Sequence, residues 1–391
     1  METVYFGIIL FLFLLAIFDL VVGVSNDAVN FLSSAVGAKV APYRVIMWIA
    51  ATGILCGALM SNGMMEIARH GIFRPEQFFF QELVCIFLAV MVTDVLVLDV
   101  FNTLGLPTST TVSMVFELLG GTFALTLVKM AGTEGMHFAD YLNTEKALSV
   151  IMGIFLSVAI AFFFGMVVQW LARLVFTFRY RERLKWTIGL FGGIASTAIV
   201  YFMLIKGVKD TTFMTSGAKA WIAAHGTLIA GCCLVGFTLL MQVLHWLRVN
   251  VFKVVVLLGT FALALAFAGN DLVNFIGVPL AGYDSYLDYA AHGAGSDTYL
   301  MSSLNEPART PFLFLAAAGV IMVWTLCTSK KAQKVIKTSV DLSRQDEGEE
   351  MFGSSAVARS IVRTSMSLAQ TLSNICLLYT SPSPRDRQKS R

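Results

Sequence analysis

The chain has 391 residues, of which 57% are hydrophobic and 14% charged, and its mean hydropathy is +0.75. Because charged residues make up about a quarter of an average soluble domain, this composition excludes an ordinary soluble protein and predicts a polytopic membrane protein. The formal net charge of +3 is no larger than the charge of residues 376–391, which carry four Lys/Arg and one Asp. The remaining basic residues cluster at the ends of apolar runs as topology signals, so no nucleic-acid partner is predicted.

The first predicted membrane span covers residues 5–24, about the 20 apolar residues that a helix needs to cross a bilayer. It has neither a basic leader nor a small-residue cleavage site, so we interpret it as a retained span and not as a signal peptide. Hydropathy predicts further spans over residues 45–59, 83–104, 112–128, 148–178, 188–205, 222–247, 251–276 and 311–327.

A short polar motif at the end of the first span returns in the second half of the chain. Asn26-Asp27-Ala28-Val29-Asn30-Phe31 recurs 244 positions later (270 minus 26) as Asn270-Asp271-Leu272-Val273-Asn274-Phe275. Carboxylates and amides are costly at membrane depth, so two copies indicate a site that takes oxygen ligands from both halves.

Basic clusters at residues 173–185 and 330–337 are both expected on the cytoplasmic side, and four predicted spans separate them. Counting one crossing per span then places the two motifs on helices of opposite direction. The predicted fold class is therefore an all-α polytopic membrane protein, an inverted-repeat secondary transporter with broken helices and re-entrant hydroxyl-rich turns. A re-entrant turn at Pro107 would change the parity of this count.

Two further intramembrane carboxylates, Asp94 and Asp99, lie on the span that precedes Pro107. They could form a proton relay, or they could pair with basic residues at the end of a span. Glu117, in the middle of the next span, is the carboxylate that we would test after them.

Residues 105–111 interrupt the apolar pattern with a Gly/Pro break that is followed by Thr108, Ser109, Thr110 and Thr111. Hydroxyl donors and free backbone N–H groups at a helix start suit a tetrahedral oxyanion. The alternative is an ordinary Pro-initiated helix that Ser or Thr caps.

A second hydroxyl turn stands at the same offset of 244, where Ser354 and Ser355 follow Gly353. It keeps the distance from Asp271 that the first turn keeps from Asp27. In the alternative interpretation, these residues cap a cytoplasmic helix that starts near Ala356.

The two motifs and the turn together resemble the PiT family of inorganic phosphate transporters, over the chain up to about Ile375. The family segment Gly-Ala-Asn-Asp-Val-Ala-Asn-Ala is matched by residues 24–31 and 268–275. Its Gly-Leu-Pro-Val-Ser-Thr-Thr-His turn is matched by residues 105–112, with Thr108 in place of Val and Val112 in place of His.

The resemblance implies inverted repeats, phosphate held by both hydroxyl turns and coupling cations, sodium or protons, near the two motifs. The implied phosphate ligands are Ser109, Thr110, Thr111, Ser354 and Ser355. The implied cation ligands are Asn26, Asp27, Asn30, Asn270, Asp271 and Asn274, with sodium at Asp27 and Asp271.

We therefore expect a multi-pass transporter of the plasma (inner) membrane that symports phosphate with sodium or protons, with no cofactor beyond the co-transported ion. The lipid bilayer is its surrounding partner, and a homodimer is left open. Sulfate transport on the same scaffold and an anion channel are the alternatives. An enzyme is not expected, because the five histidines are scattered and no nucleophile–base pairing or nucleotide loop is present.

The expected organisation is a first repeat over residues 1–178, connecting helices over 179–250 and a second repeat over 251–375. Residues 376–391 switch abruptly to a Pro/Ser/Arg-rich composition. We interpret them as a non-native tail that replaces the natural continuation beyond Ile375, the alternative being a genuine disordered tail.

Overall fold

The computed structural model describes residues 2–61, 69, 71–132, 137–176, 180–203, 215–292, 295–305, 310–342, 360 and 363–367. The chain divides into two units, Met1–Ser343 and Arg344–Arg391. In the second unit, residues 360 and 363–367 are helical and exposed. Ser354, Ser355 and residues 376–391 lie outside the described residues.

The first unit is built from α-helices. Their bounds are α1 Glu2–Gly37, α2 Tyr43–Met60, α3 Phe80–Leu104, α4 Thr110–Gly132, α5 Phe138–Tyr141, α6 Thr144–Phe176, α7 Tyr180–Phe202, α8 Ser216–Ala224, α9 Gly226–Trp246, α10 Val251–His292, α11 Phe312–Thr328 and α12 Lys330–Leu342.

Among the described residues, seven helices are long and apolar enough to cross a membrane, or eight if the bent pair α11 and α12 counts as one span. The apolar part of α7, Thr187–Phe202, is shorter than a span. The span predicted over residues 222–247 begins after a break at His225, which separates α8 from α9. The all-α polytopic membrane fold is confirmed, and the inverted repeat stays a prediction.

The two motif helices are longer than the sequence suggested. The 36-residue α1 continues through the first motif to Gly37, and the 42-residue α10 continues to His292 despite Pro279. The stretch from Asp284 to His292, which lies beyond the span predicted to end at residue 276, is therefore helical. Tertiary partners hold the extra turns in place: Tyr289 stacks on Phe80 at 4.4 Å, and Asp284 pairs with the buried Arg69 at 2.5 Å.

Residues 295–305 return from α10 and bond to its last turns. The hydroxyl groups of Tyr299 and Ser303 donate to Asp288 Oδ2 at 2.9 and 2.6 Å. Burial and the neighbouring Asp288 carboxylate raise the pKa of Tyr299 to about 12. The phenol therefore stays protonated at neutral pH and keeps its role as a donor.

Helices α1 and α10 pack against each other in opposite directions. The rings of Phe31 and Phe267 lie 5.4 Å apart, whereas those of Tyr5 and Tyr289 lie 6.1 Å apart. Rising numbers on α1 thus meet falling numbers on α10. Between these pairs the helices approach closely at Gly23, where an added Cβ would lie 2.1 Å from the ring of Phe275.

The phenylalanine of each motif anchors the core between these helices. Phe31 and Phe275 are 2% and 0% exposed and belong to one apolar cluster. This cluster also includes residues of α2, α11 and α12. A second cluster joins the first half of α1 to α3 and α4. The polar residues of the two motifs lie next to these cores, so their positions are fixed by packing.

Helix α12 packs against the ends of α1 and α3 after a bend of 65° from α11. Lys331 Nζ lies 2.5 Å from Asp99 Oδ1, and Lys334 donates to the carbonyl oxygen of Thr103. At the bend, the hydroxyl groups of Ser329 and Ser25 lie 2.7 Å apart. The elbow between α11 and α12 is thus tied to the residue that precedes the first motif.

Candidate functional site

The hydroxyl turn between α3 and α4 is closed by its own backbone. Gly105 adopts the left-handed conformation (φ 76°), which favours glycine, and its N–H donates to the last turn of α3. Ser109 caps α4, since its Oγ accepts from the N–H of Val112 at 3.3 Å. Ser109 itself is exposed. The chain thus presents the N-terminus of a helix, with its unsatisfied N–H groups, beside three successive hydroxyls.

Asn26 fixes this turn to α1. Its Nδ2 donates to Asn102 Oδ1 at 2.9 Å and to the carbonyl oxygen of Leu106 at 3.0 Å. Its Oδ1 accepts from the N–H of Thr108 at 2.7 Å. Asn26 and Asn102 are both 0% exposed. Because buried amides need such partners, Asn26 positions the turn.

Asp27 receives the first hydroxyl of α4. Thr110 Oγ1 donates to Asp27 Oδ2 at 2.8 Å, and both residues are buried. Asn30, one turn later on α1, donates to the other oxygen, Oδ1, at 3.4 Å and is exposed.

Asp271 receives the next hydroxyl of the same helix. Thr111 Oγ1 donates to Asp271 Oδ1 at 3.4 Å, and Asn274 Nδ2 donates to Thr111 Oγ1 at 2.8 Å. Asn274 also reaches Asp271 Oδ1 at 3.4 Å, which repeats the Asn30 to Asp27 contact. One helix start therefore touches both repeated aspartates through adjacent threonines.

Asn270 differs from its counterpart Asn26. It is exposed, and its Nδ2 donates to the carbonyl oxygen of Ala266 in its own helix at 2.9 Å. The turn that would correspond to residues 105–111 in the second half includes Ser354 and Ser355, which lie outside the described residues.

The site collects oxygen atoms from carboxylates, amides and hydroxyls. In the part of the chain that the structure describes, neither Asp27 nor Asp271 forms an ion pair with a basic side chain. Two carboxylates in an apolar surrounding need a compensating cation, and hard cations such as sodium suit these oxygen ligands. The adjacent helix start carries partial positive charge and suits an anion.

The structure separates Asp94 from Asp99. Asp94 is 1% exposed and faces α1 and α4, whereas Asp99 is exposed and pairs with Lys331. Asp99 thus makes the span-end ion pair that the sequence left as an alternative to a proton relay. Asp94 has no basic partner among the described residues.

No sequence motif pointed to Asp19, which lies on α1 and is 0% exposed. A lone aspartate in the first apolar run was the available signal, because intramembrane carboxylates are rare and usually functional. Asp19 precedes Asp27 by eight residues (27 minus 19), about two helical turns, so the two share one face of α1.

Comparison with known proteins identifies a family and a fold for this chain. The family model described as "Phosphate transporter family" matches residues 23–339. A solved structure described as "The sodium-dependent phosphate transporter" has the same fold, with a TM-score of 0.62 and 18% sequence identity. The alignment covers 86% of this chain and 78% of that one. No curated protein sequence matches the chain.

Proposed function

The chain belongs to the phosphate transporter family, and from this premise we propose that it symports inorganic phosphate with sodium across the plasma membrane by alternating access. The observation that carries the proposal is the contact of one helix start with both repeated aspartates, through Thr110 and Thr111. It brings a candidate anion site next to a candidate cation site.

In the proposed mechanism, phosphate lies at the start of α4. Ser109, Thr110, Thr111 and the free N–H groups of the first turn donate to its oxygens. Sodium ions lie at Asp27 and Asp271, with amide oxygens of the motif asparagines as further ligands.

Competition for the threonine hydroxyls couples the two ions. A hydroxyl group has one proton, and Thr110 now donates it to Asp27. When phosphate binds, it accepts this hydrogen bond from Thr110. The buried carboxylate of Asp27 then has one hydrogen-bond donor fewer. A sodium ion on Asp27 restores the balance, so each ion lowers the free-energy cost of binding the other. Two aspartates and a singly charged phosphate carry three negative charges, and two sodium ions compensate two of them. Phosphate bound without sodium would leave all three uncompensated, so that half-loaded state is the one hindered from reorienting.

Uptake of radiolabelled phosphate into proteoliposomes tests this proposal. We expect saturable, concentrative uptake that requires an inward sodium gradient. We expect Asp27→Asn and Asp271→Asn to lose the sodium dependence, whereas Glu145→Gln, an exposed carboxylate at the start of α6, keeps it. Passive flux at channel rates, or full sodium dependence in both aspartate variants, would contradict the proposal.

Competition by sulfate addresses the nearest alternative substrate. Phosphate keeps an O–H donor near neutral pH and sulfate has none. If a sodium-bound aspartate also accepts that O–H with its second oxygen, the site rejects sulfate. We expect excess sulfate to leave phosphate uptake unchanged. Strong inhibition by sulfate would assign the site to tetrahedral oxyanions in general.

A further inference from the structure

Three carboxylates outside the repeated motifs converge where α1, α3 and α4 meet. Asp19 on α1 and Asp94 on α3 are 0% and 1% exposed. Glu117 on α4 is half-buried. Asp19 lies within electrostatic reach of Asp94, of Glu117 and, more weakly, of Asp27. The hydrogen-bond partners of Asp27 are Thr110 and Asn30, so Asp27 belongs to the repeated-motif site and not to this cluster.

The cluster has more acceptor oxygens than donors. Both carboxylate oxygens of Asp19, Oδ1 of Asp94 and Oε2 of Glu117 are buried and have no hydrogen-bond partner among the described residues. The nearby donor is Ser113, whose hydroxyl donates to Glu117 Oε1 at 2.7 Å and also lies beside Asp94. A single hydroxyl proton therefore serves two carboxyl groups, and none serves Asp19.

The described residues supply no positive charge to the cluster. Of the helices packed on α1, α10 contributes Asp271, which faces Asp27, and α11 has no charged residue. The only charged residue of α2 is Arg44, in its first turn. The α12 lysines contact Asp99 and Thr103, at the far end of α3. Three ionised carboxylates here would be uncompensated charges in an apolar surrounding, which is prohibitively costly.

The missing ligand is either a metal cation or protons. Within the described residues, no group of three or more His, Cys, Asp or Glu side chains could hold a metal ion such as zinc or calcium, which leaves protons or sodium for the measurements below to distinguish. A proton needs no such convergence, and it turns an unpaired carboxylate oxygen into a donor. A shared proton is also the usual solution when like carboxyl groups are neighbours.

We propose that Asp19, Asp94 and Glu117 form a proton-binding site, separate from the repeated motifs, that couples phosphate uptake to the proton gradient. The inference rests on the proposed function and adds protons to the sodium ions at Asp27 and Asp271. A groove of about 460 Å³ between α3 and α4, bordered by Thr93, Ser113, Glu117 and Gly121, reaches Glu117. Binding converts a carboxylate to a carboxylic acid, and release on the other side of the membrane returns the proton to water.

Uptake with sodium equal on both sides and an imposed pH gradient measures this coupling. A gradient of about one pH unit is a tenfold ratio of proton activity, so one proton per cycle raises phosphate accumulation up to about tenfold. We expect this stimulation in the unmodified chain and in Glu145→Gln. We expect Glu117→Gln and Asp94→Asn to lose it while they keep uptake driven by a sodium gradient.

Infrared spectroscopy of the purified protein in lipid gives a second measurement that does not depend on transport. Protonated carboxyl groups absorb through their C=O stretch, which ionised carboxylates lack. We expect a band from buried protonated carboxyl groups near neutral pH that weakens in Asp19→Asn and in Glu117→Gln. The half-buried position of Glu117 makes the second variant the safer one for folding.

The outcomes separate the two proposals. If the unmodified chain takes up no phosphate under either gradient but shows the infrared band, the proposed function and the coupling role fail, whereas proton binding by these carboxyl groups stands. If sodium-driven uptake is normal and the band is absent, the proton site is overturned alone. Full pH-gradient stimulation in Glu117→Gln would also overturn the proton site. If Glu117→Gln or Asp94→Asn instead loses sodium-driven uptake but keeps the pH effect, the cluster is a sodium site and not a proton site.

Discussion

The two copies of the repeated motif have the same three polar residues but different surroundings. In the first copy, Asn26 is buried and bonded to Asn102, Leu106 and Thr108 of the hydroxyl-turn region. In the second copy, Asn270 is exposed and bonded to its own helix. The two aspartates, by contrast, have similar contacts, because each accepts a hydrogen bond from a threonine hydroxyl of α4. The leading asparagine of the first copy therefore positions the turn, and we propose that the aspartate of each copy is the residue that contacts the ions.

The largest difference is expected between Asn26→Ala and Asn270→Ala. Removal of the Asn26 amide leaves a buried N–H, a carbonyl and an amide oxygen without a partner, at about 1–3 kcal/mol each. We expect the stability to fall by about 4 kcal/mol in total and transport to be lost. Asn270→Ala loses one exposed bond and is expected to cost less than about 1 kcal/mol. Thermal unfolding in detergent at a fixed scan rate measures both, and equal losses would contradict the assigned difference.

Glycine positions beside the two motifs give the next test. An added Cβ at Gly23 on α1 would lie 2.1 Å from the Phe275 ring, whereas one at Gly269 on α10 meets its nearest atom at 3.8 Å. We expect Gly23→Ala to push α1 away from α10 at a cost of about 2–3 kcal/mol. Gly269→Ala fits, and we expect it to be neutral or to stabilise α10 by up to about 1 kcal/mol. Melting temperatures show whether each variant is destabilised or stabilised. A stabilised Gly23→Ala would contradict the close approach of α1 and α10 at Gly23.

Thr110 and Thr111, adjacent on α4, each bond to one of the two motif aspartates, so variants of the threonines compare the two aspartates. Thr110 donates to Asp27 at 2.8 Å in a buried position, and Thr111 donates to Asp271 at the longer distance of 3.4 Å. Loss of a hydrogen bond to a charged group costs about 1.5–3 kcal/mol, so we expect Thr110→Val to weaken sodium-stimulated uptake about tenfold or more. Thr111→Val should have a smaller effect on KM for sodium. Thr110→Ser and Thr111→Ser keep the hydroxyl and serve as controls; a larger effect at Thr111 would reverse the assignment.

Much of this arrangement was predictable from the sequence because buried polar groups are costly. The duplicated motif and the hydroxyl turn indicated which residues would meet, and the structure places Thr110 beside Asp27 and Thr111 beside Asp271. Their roles toward phosphate and sodium stay predictions. The seven or eight candidate spans among the described residues were also largely visible as apolar runs, although hydropathy predicted nine.

The rest depends on contacts between residues that are distant in sequence. Helix α10 continues past Pro279 because its last turns pack on Phe80 and pair with Arg69, which no local pattern shows. Asp19 has no partner within its own segment. It is recognised as part of an acidic cluster only in the folded chain, where α3 and α4 bring Asp94 and Glu117 near it. The helix ends and the acidic cluster were therefore beyond local sequence patterns.

The smallest expected effect concerns Ser25, the residue that precedes the first motif. The residue that precedes the second motif is Gly269, which has no side chain. The Ser25 hydroxyl donates to the Val21 carbonyl and lies 2.7 Å from Ser329 Oγ, at the elbow between α11 and α12. Ser329 also accepts from the N–H of Ala332 at 3.1 Å and so caps α12.

A double-mutant cycle isolates the tie between these two serines. We expect Ser25→Ala to cost about 1 kcal/mol or less, and Ser329→Ala to cost more because it also removes a helix cap. Since the two residues share one hydrogen bond, the double variant should be less destabilised than the sum of the singles, by about 0.5–1 kcal/mol. Strict additivity would mean that the elbow is held by apolar packing alone, and the first motif would then influence α12 no more than the second does.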